Sequence, residues 1–338
     1  MLNKDIRSIF KEFNNKTILI IGDVMIDSYL WGEVNRVSPE APVVIISKTT
    51  HENRLGGAAN VALNVQSLGA TPILCSIIGN DIQSETYEKL MRDNGLSDKG
   101  IVKCNDRVTT MKTRVISQNH HLLRVDEEDD SPVSSDQEDL LFEKIKSIVS
   151  NEKVDAIVME DYDKGVITSN LIKQIVNLAR ANDIPTLVDP KKRNFTHYKG
   201  VTFFKPNFKE FKEGLNLDIL KTDKEKLIEE ARKFLVNTMN HYLMITLADL
   251  GVFICSKDSY NFYPAQIRKI ADVSGAGDTV ISTCALCLAS DLNAELTAQI
   301  ANMAGGIVCE MPGVVPIDKE LLENECIKKI EPFSTTKN

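Results

Sequence analysis

The chain has 338 residues, a formal net charge of −8, 43% apolar and 26% charged residues. That balance fits a folded globular protein and argues against extensive disorder. The acidic charge argues against a general nucleic-acid binder, and with no run of about 18 apolar residues no membrane-spanning helix is expected.

Residues 1–16 form a mixed-charge amphipathic stretch with no uninterrupted apolar core, so no targeting signal is read and a cytoplasmic location is expected. Residues 17–22 (TILIIG) predict a short buried strand. Strands with a turn at Ser38-Pro39 are expected over 29–48. A helix opened by Gly56 and Gly57 runs to Leu68, followed by a strand over 71–78 and a helix over 82–94. Residues 108–126 are rich in β-branched residues with partial alternation and predict a hairpin or edge-strand region. A regular rhythm follows. Helices are expected over 136–150, 168–181, from Asn207, and over 223–237, 277–290 and 294–309. Strands are expected over 154–159, 185–188, 201–205, 242–247, 251–255 and 260–264.

Strands alternating with helices imply a mostly parallel central sheet covered on both faces, an α/β three-layer αβα core. The β-rich segments at 29–48 and 108–126 break the rhythm and are expected to form a small β lid within one domain covering 1–338. Cys75, Cys104, Cys255, Cys284, Cys287, Cys309 and Cys326 are scattered and odd in number, so reduced thiols are expected. Cys284 and Cys287 form a C-x-x-C, but they lie in an apolar helical run with no second Cys/His pair, which points to core packing.

The richest segment is Asp272-Val273-Ser274-Gly275-Ala276-Gly277-Asp278-Thr279, leading straight into an apolar helix. Gly275 and Gly277 allow a tight turn and close backbone approach. The helix start offers N–H groups and the positive end of a dipole, together an anion hole. Asp278 at its mouth is placed to take a proton from an attacking hydroxyl. An ordinary helix cap is the competing reading of this aspartate.

The flanking residues decide between the two. D-x-x-G-A-G-D-T resembles the C-terminal signature of ribokinase-like (PfkB) sugar kinases, with Val273 where Thr is usual. Gly56-Gly57-Ala58-Ala59-Asn60 resembles that family's earlier signature, Asn207-Phe208-Lys209-Glu210 its N-x-x-E, and Gly22-Asp23-Val24-Met25-Ile26-Asp27 its first strand and turn. The resemblance implies ATP and Mg²⁺, with a monovalent cation left open. It implies that Asp27, Gly56, Gly57 and Asn60 orient a sugar, and that Gly275, Ala276 and Gly277 stabilise the transferred group beside Asp278. Asn207, Thr246, Gly251, Gly277 and Asn302 are the implied nucleotide residues, and Asn207 and Glu210 serve the metal through water.

Within the family, residues 33–43 (EVNRVSPEAPV), 54–62 (RLGGAANVA) and 122–126 (LLRVD) look like D-glycero-D-manno-heptose 7-phosphate kinases. So does Asp161-Tyr162-Asp163-Lys164-Gly165-Val166, with Glu160 where Ser is usual, and so does Asp189-Pro190-Lys191. Such enzymes phosphorylate the anomeric hydroxyl on the route to ADP-heptose and lipopolysaccharide. Many carry a nucleotidyltransferase domain with an H-x-G-H motif, which these residues lack, so the kinase alone is expected.

A phosphorylated sugar needs cations. Lys112 and Arg114, two apart in a strand, share a face. Arg36 and Arg124 lie in the other lid-like segments, and guanidinium pairs well with phosphate. The competing reading of each of the four is a solvated edge-strand charge, since exposed charges are usually plain surface. Lys164 and Lys191 are open between phosphate contact and plain surface. The acidic run Asp126–Asp130 reads as a solvated loop. A homodimer through the lid strands is expected, since an exposed strand edge invites pairing. Three other readings are weighed. One is a kinase for fructose, ribose or fructose 6-phosphate. Another is a non-catalytic sugar- or nucleotide-binding regulator on the same fold. A dinucleotide enzyme is discounted because no G-x-G-x-x-G follows the first strand.

Overall fold

The run at residues 17–22 shows how the layers form. In the computed structural model, which describes residues 5–118 and 120–330, Ile18 and Ile20 pack into one apolar core and Leu19 and Ile21 into another. Alternate residues of a strand point to opposite faces, so a strand apolar at every position must be covered on both sides.

In chain order the first half holds α1 (Ile6–Phe13), β1 (Thr17–Gly22), β2 (Val24–Val37), β3 (Val44–Gly57), α2 (Ala58–Ser67), β4 (Thr71–Gly79), α3 (Ile82–Asp93), β5 (Gly100–Cys104), β6 (Met111–Ser117) and β7 (His120–Glu127). The second half holds α4 (Ser135–Asn151), β8 (Ala156–Glu160), α5 (Ser169–Ala181), β9 (Thr186–Asp189), β10 (Phe203–Phe204), α6 (Phe208–Gly214), α7 (Lys224–Thr238), β11 (Tyr242–Thr246), β12 (Val252–Ser256), β13 (Tyr260–Tyr263), α8 (Ala276–Ala289), α9 (Ala294–Val308) and α10 (Lys319–Lys329).

Among the described residues the main sheet runs β13-β12-β11-β10-β9-β8-β1-β4-β5. It is parallel from β11 to β5, and β12 and β13 add antiparallel strands at one edge. Residues of α1, α2, α3, α8, α9 and α10 fill one core, and residues of α4, α5, α6 and α7 fill the other. The result is a ribokinase-like three-layer αβα core with a mostly parallel sheet.

The second sheet, β3-β2-β6-β7, is the small β lid. It is longer than the sequence suggested. β2 starts at Val24, straight after β1, and β3 continues to Gly57, so Gly56 and Gly57 end a strand and the helix begins at Ala58. The sequence reading also missed α1, β5 and α10. The first was legible: Ile6, Ile9, Phe10 and Phe13 follow the i, i+3, i+4, i+7 spacing of a buried helix face, and Asp5 caps it through the Ser8 N–H at 2.7 Å. All seven cysteines are unpaired, and Cys284 and Cys287 are fully buried in α8. No described helix is long and apolar enough to cross a membrane.

Candidate active site

The strands β1, β8 and β9 end side by side. Gly22 lies opposite Glu160 and Glu160 opposite Asp189. The N-terminus of α8 comes down over this edge, as expected for a parallel sheet whose ligands gather at the carboxyl ends of the strands. Gly275 caps α8 in the left-handed region, at φ 78°, with no side-chain capping bond. A Cβ there would stand 2.9 Å from Val314 Cγ1 and 3.1 Å from Asn60 Nδ2. Glycine therefore serves both the turn and the close approach of α2. No side chain caps the helix, and of its first N–H groups that of Ala276 donates to the Val273 carbonyl at 3.3 Å, so the rest of the first turn faces an anion without a capping side chain in the way.

Asp278 sits in that first turn, buried. Asn60 Nδ2 donates to its Oδ2 at 2.5 Å, and the Tyr162 hydroxyl donates to its Oδ1 at 2.7 Å. Burial pushes the carboxyl up to about 6, against the pull of those two hydrogen bonds. Asn64, one turn after Asn60, accepts from the Thr279 hydroxyl at 2.9 Å and the Ile317 N–H at 3.1 Å, which ties α2 to α8. Beneath them Lys205 is buried and paired with Asp189 at 2.7 Å. Desolvation works against its charge, but Asp189 and Glu210 hold it above the ordinary lysine value.

The loop after β8 is built on Asp23. This buried carboxylate accepts the backbone N–H groups of Tyr162, Lys164 and Val166 at 2.8, 3.1 and 3.0 Å. It thereby aims Tyr162 at Asp278 and Lys164 at the lid. Asp161 accepts from the Tyr198 hydroxyl at 2.7 Å and from Asn194 at 3.2 Å, which fixes the loop from behind.

Between lid and core opens a cleft of about 250 Å³. Asp278, Gly275, Asn60, Gly57, Gly56 and Asp27 line it, together with Lys112, Arg114, Arg124 and Lys164. A Cβ on Gly56 would fall 2.3 Å from Asp27 Oδ2, so glycine makes room for that carboxylate. Arg114 donates to Asp27 at 2.6 Å. Lys112 reaches Glu128 at 2.6 Å and Asp126 at 2.9 Å, Lys164 reaches Glu128 at 2.8 Å, and Arg124 reaches Asp126 at 2.9 Å. Four cations thus share three carboxylates on the lid side of the cleft, opposite Asp278. The acidic run, expected as a solvated loop, instead supplies two of these counter-ions. A strand places Asp126 opposite Lys112, and single-sequence reading does not reveal that register. Arg36 is not brought to the cleft. It lies exposed opposite Ile45, nine residues along β2 from Asp27, about 30 Å at strand rise.

Of the implied nucleotide residues, Gly277 lies in the first turn of α8, Asn302 in α9, and Asn207, Thr246 and Gly251 at or just after the ends of β10 and β11. Thr246 ends β11 and bridges to Asn207. Asn207 and Glu210 form a capping box at the start of α6, and Glu210 also binds Lys191 at 2.5 Å. Gly251 turns at φ 89°, where a Cβ would stand 2.1 Å from the Tyr263 carbonyl oxygen, and Asn302 donates to the neighbouring Pro264 carbonyl at 2.9 Å. Lys191 also lies over the Tyr162 ring, 5.4 Å from its centre, so it is no plain surface lysine.

The family model of pfkB family carbohydrate kinases matches residues 15–320. The chain belongs to this family. Among curated relatives, the bifunctional protein HldE of Methylobacillus flagellatus is 36% identical over 308 residues, 91% of this chain and 62% of that one. HldE of Campylobacter jejuni (strain RM1221) is 36% identical over 302 residues, 89% and 62%. The pfkB kinase described here thus spans about three-fifths of the length of those relatives. Two solved structures show the same fold. Phosphofructokinase-2 of Escherichia coli in complex with substrates and products gives a TM-score of 0.74 at 16% identity, covering 94% of this chain and 99% of that one. Arabidopsis thaliana ribokinase complexed with ribose and ATP gives 0.70 at 15%, covering 91% and 98%.

Several residues of this pfkB kinase site escaped sequence reading as site residues. Tyr162 was quoted only as part of a motif, although it touches Asp278. Lys205 reads from sequence only as a strand residue, and its one signal is a lysine inside the apolar run VTFFKP. Asn64 gave no signal, because a polar residue on a helix is normally surface. Glu160 was noticed only as a departure from the usual serine.

Proposed function

We propose that this kinase transfers the γ-phosphoryl group of ATP to the anomeric hydroxyl of D-glycero-D-manno-heptose 7-phosphate, giving the 1,7-bisphosphate for ADP-heptose and lipopolysaccharide core synthesis in the cytoplasm. One observation carries the reading: a single cleft joins Asp278 to the cations Lys112, Arg114, Arg124 and Lys164. A neutral sugar has no use for four cations, whereas a sugar phosphate bound with its far end toward the lid does. The HldE relatives support the choice of a heptose phosphate.

In this reading Asp27, Gly57 and Asn60 orient the sugar, and Asp278 takes the proton of the attacking hydroxyl. Its two hydrogen-bond donors keep the carboxylate aimed, and its raised affinity for a proton suits a base working near neutrality. The backbone N–H groups of Gly275, Ala276 and Gly277 stabilise charge on the group in flight. Phosphate oxygens of the sugar displace Asp126 and Glu128 from Lys112, Arg124 and Lys164. Mg²⁺ fits as the companion of ATP: Asn207 and Glu210 offer hard oxygen donors at the nucleotide rim, in keeping with an ion that retains several waters. When bound, it neutralises phosphate charge. A lid seated on the sugar would exclude water from the reaction.

A homodimer through the lid fits the exposed Val37, Val44 and Leu123 on the small sheet and Val43 just before β3. A monomer by light scattering at micromolar concentration removes that part. The function is tested by ADP release with Mg²⁺-ATP and heptose 7-phosphate, fructose 6-phosphate, fructose and ribose side by side. Selectivity for the heptose phosphate is expected. Selectivity for another sugar discards the heptose, and no turnover with any of them favours a binding protein.

A further inference from the structure

Glu160 ends β8 between Gly22 and Asp189, and nothing in the mechanism above uses it. It is fully buried, and neither of its carboxylate oxygens has a hydrogen-bond partner. Glycine at position 22 makes the space, since a Cβ there would fall 2.0 Å from the Glu160 carbonyl oxygen and 3.0 Å from its Cβ. One oxygen each of Glu160, Asp189 and Asp278 lie within 4.8 Å of one another. Three carboxylates so close cannot all be charged without compensation.

The surrounding pairings show which one gives way. From β9, Asp189 holds Lys205, which follows β10. Lys191 faces the cluster from the loop after β9 and is held by Glu210. From α8, Asp278 has both oxygens occupied by Asn60 and Tyr162. Glu160 alone has no donor. We propose that Glu160 is a neutral carboxylic acid in the resting enzyme and a positioning residue, which leaves Asp278, held by its two donors, as the charged carboxylate at the mouth of the anion hole. Burial first, then Asp189 and Asp278, push its proton affinity well above that of an ordinary glutamate, in the same direction. A cation bridging the three carboxylates is the rival arrangement. It would sit beside the Lys205 ammonium, a like charge, and would have to share Asp278 with two donors already in place.

The neutral acid has a catalytic purpose, which rests on the role proposed for Asp278. An ionised Glu160 would put a second negative charge where the phosphoryl group arrives. As pH rises through its titration the enzyme should lose activity, and Glu160→Gln, neutral at every pH, should not.

The test has one readout independent of the reaction. Infrared spectra of the protein grown with ¹³C-glutamate and with ordinary glutamate, at pH 7, are compared for the carbonyl stretch of a protonated carboxylic acid. The band is expected in wild type, displaced by the label and absent in Glu160→Gln. The labelled wild type alone answers the question should the variant fail to fold. A second readout is melting. A group whose folded affinity for protons is raised stabilises at low pH and loses that contribution as pH climbs, so the Tm advantage of Glu160→Gln over wild type should widen from pH 5 to pH 9. In turnover, Glu160→Gln should lack the alkaline decline of wild type. A missing infrared band, or a Tm difference independent of pH, overturns the proposal. So does binding of Mn²⁺ by the ATP-free enzyme that disappears in Glu160→Gln. Were Asp278 not the base, the band and the melting trend would remain while Asp278→Asn kept its activity, so the two failures read differently.

Discussion

Replacing Asp278 by Asn keeps the volume and removes both the charge and the capacity to take a proton. Loss of a general base lowers kcat by about 10²–10⁴-fold, equivalent to roughly 3–5 kcal/mol in the barrier. The same change acts on stability with the opposite sign. Asp278 is buried at the cleft and its carboxyl is raised from 3.8 to about 6. The folded state therefore holds its proton more tightly than the unfolded chain. The stability this confers is complete below the unfolded value and is lost as pH rises through about 6. At pH 8 the charged form costs on the order of 3 kcal/mol, which Asn avoids. Asn offers one acceptor where Asn60 and Tyr162 each found an oxygen, so about 1 kcal/mol is given back. A gain of about 2 kcal/mol, near 3 °C in Tm for a chain of this length, is expected at pH 8, and little gain at pH 4. The checks are ADP release and thermal melting from pH 4 to 8, with ATP binding followed by calorimetry. A variant with near-normal turnover refutes the base. An inactive variant whose stability gain over wild type is no larger at pH 8 than at pH 4 refutes the buried charge.

Arg114→Ala removes a cleft cation and leaves the largely buried Asp27 without its partner. KM for the sugar phosphate should rise about 10–100-fold, the worth of a charge-assisted pair, with KM for ATP changed less than threefold; equal effects on both substrates exclude Arg114 from the sugar site. Arg36→Ala should leave both constants within about twofold, since exposed charges contribute little, and a selective rise for the sugar would mean that the far end of β2 reaches a substrate after all. Gly275→Ala forces a Cβ into a left-handed turn 2.9 Å from Val314. It should destabilise by about 1–3 kcal/mol and depress kcat well below the effect on either KM, and wild-type turnover would show that the turn does not shape the anion hole.

The layer pattern was legible because its signals are local. Apolar β1 needed cover on both faces, and the glycine-aspartate turn before α8 announced a backbone at close quarters. Asp278, Asn60 and the lid pair Lys112 and Arg114 were found as motif residues or by strand alternation. The lid's extent was not legible. Only Asp23 separates the end of β1 in the main sheet from the start of β2 in the second, and no change of composition marks where one sheet ends and the other starts. The pairing of Lys112 with Asp126 and Glu128 depends on the register of β6 against β7, and strand register is a property of two segments, not of either alone. The buried residues Asn64, Lys205 and Glu160 were hidden by the same rule. Polar residues are ordinarily exposed, so a sequence cannot say which of them tertiary packing will enclose.

What those enclosed residues share is a position. Gly22, Glu160 and Asp189 are register partners at the carboxyl ends of three adjacent parallel strands, with Lys205 beside them and the first turn of α8 above. A parallel sheet sets neighbouring strands about 5 Å apart, so side chains at equal register on one face must interact, whatever their charge. Lysine at 205 resolves the charge of Asp189, and the two donors to Asp278 resolve that of the base. A glutamate at 160 has no such resolution except by keeping its proton. Serine at that place, usual in the kinases that residues 161–166 resemble, would raise no such question. The difference between Glu160 and a small hydroxyl is therefore expected in the alkaline behaviour of the enzyme and not in its choice of sugar, because Glu160 does not line the cleft. Glu160→Ser should leave the ranking of the four test sugars unchanged while removing the alkaline decline, and a changed ranking would show that the carboxyl reaches the substrate through the cleft floor.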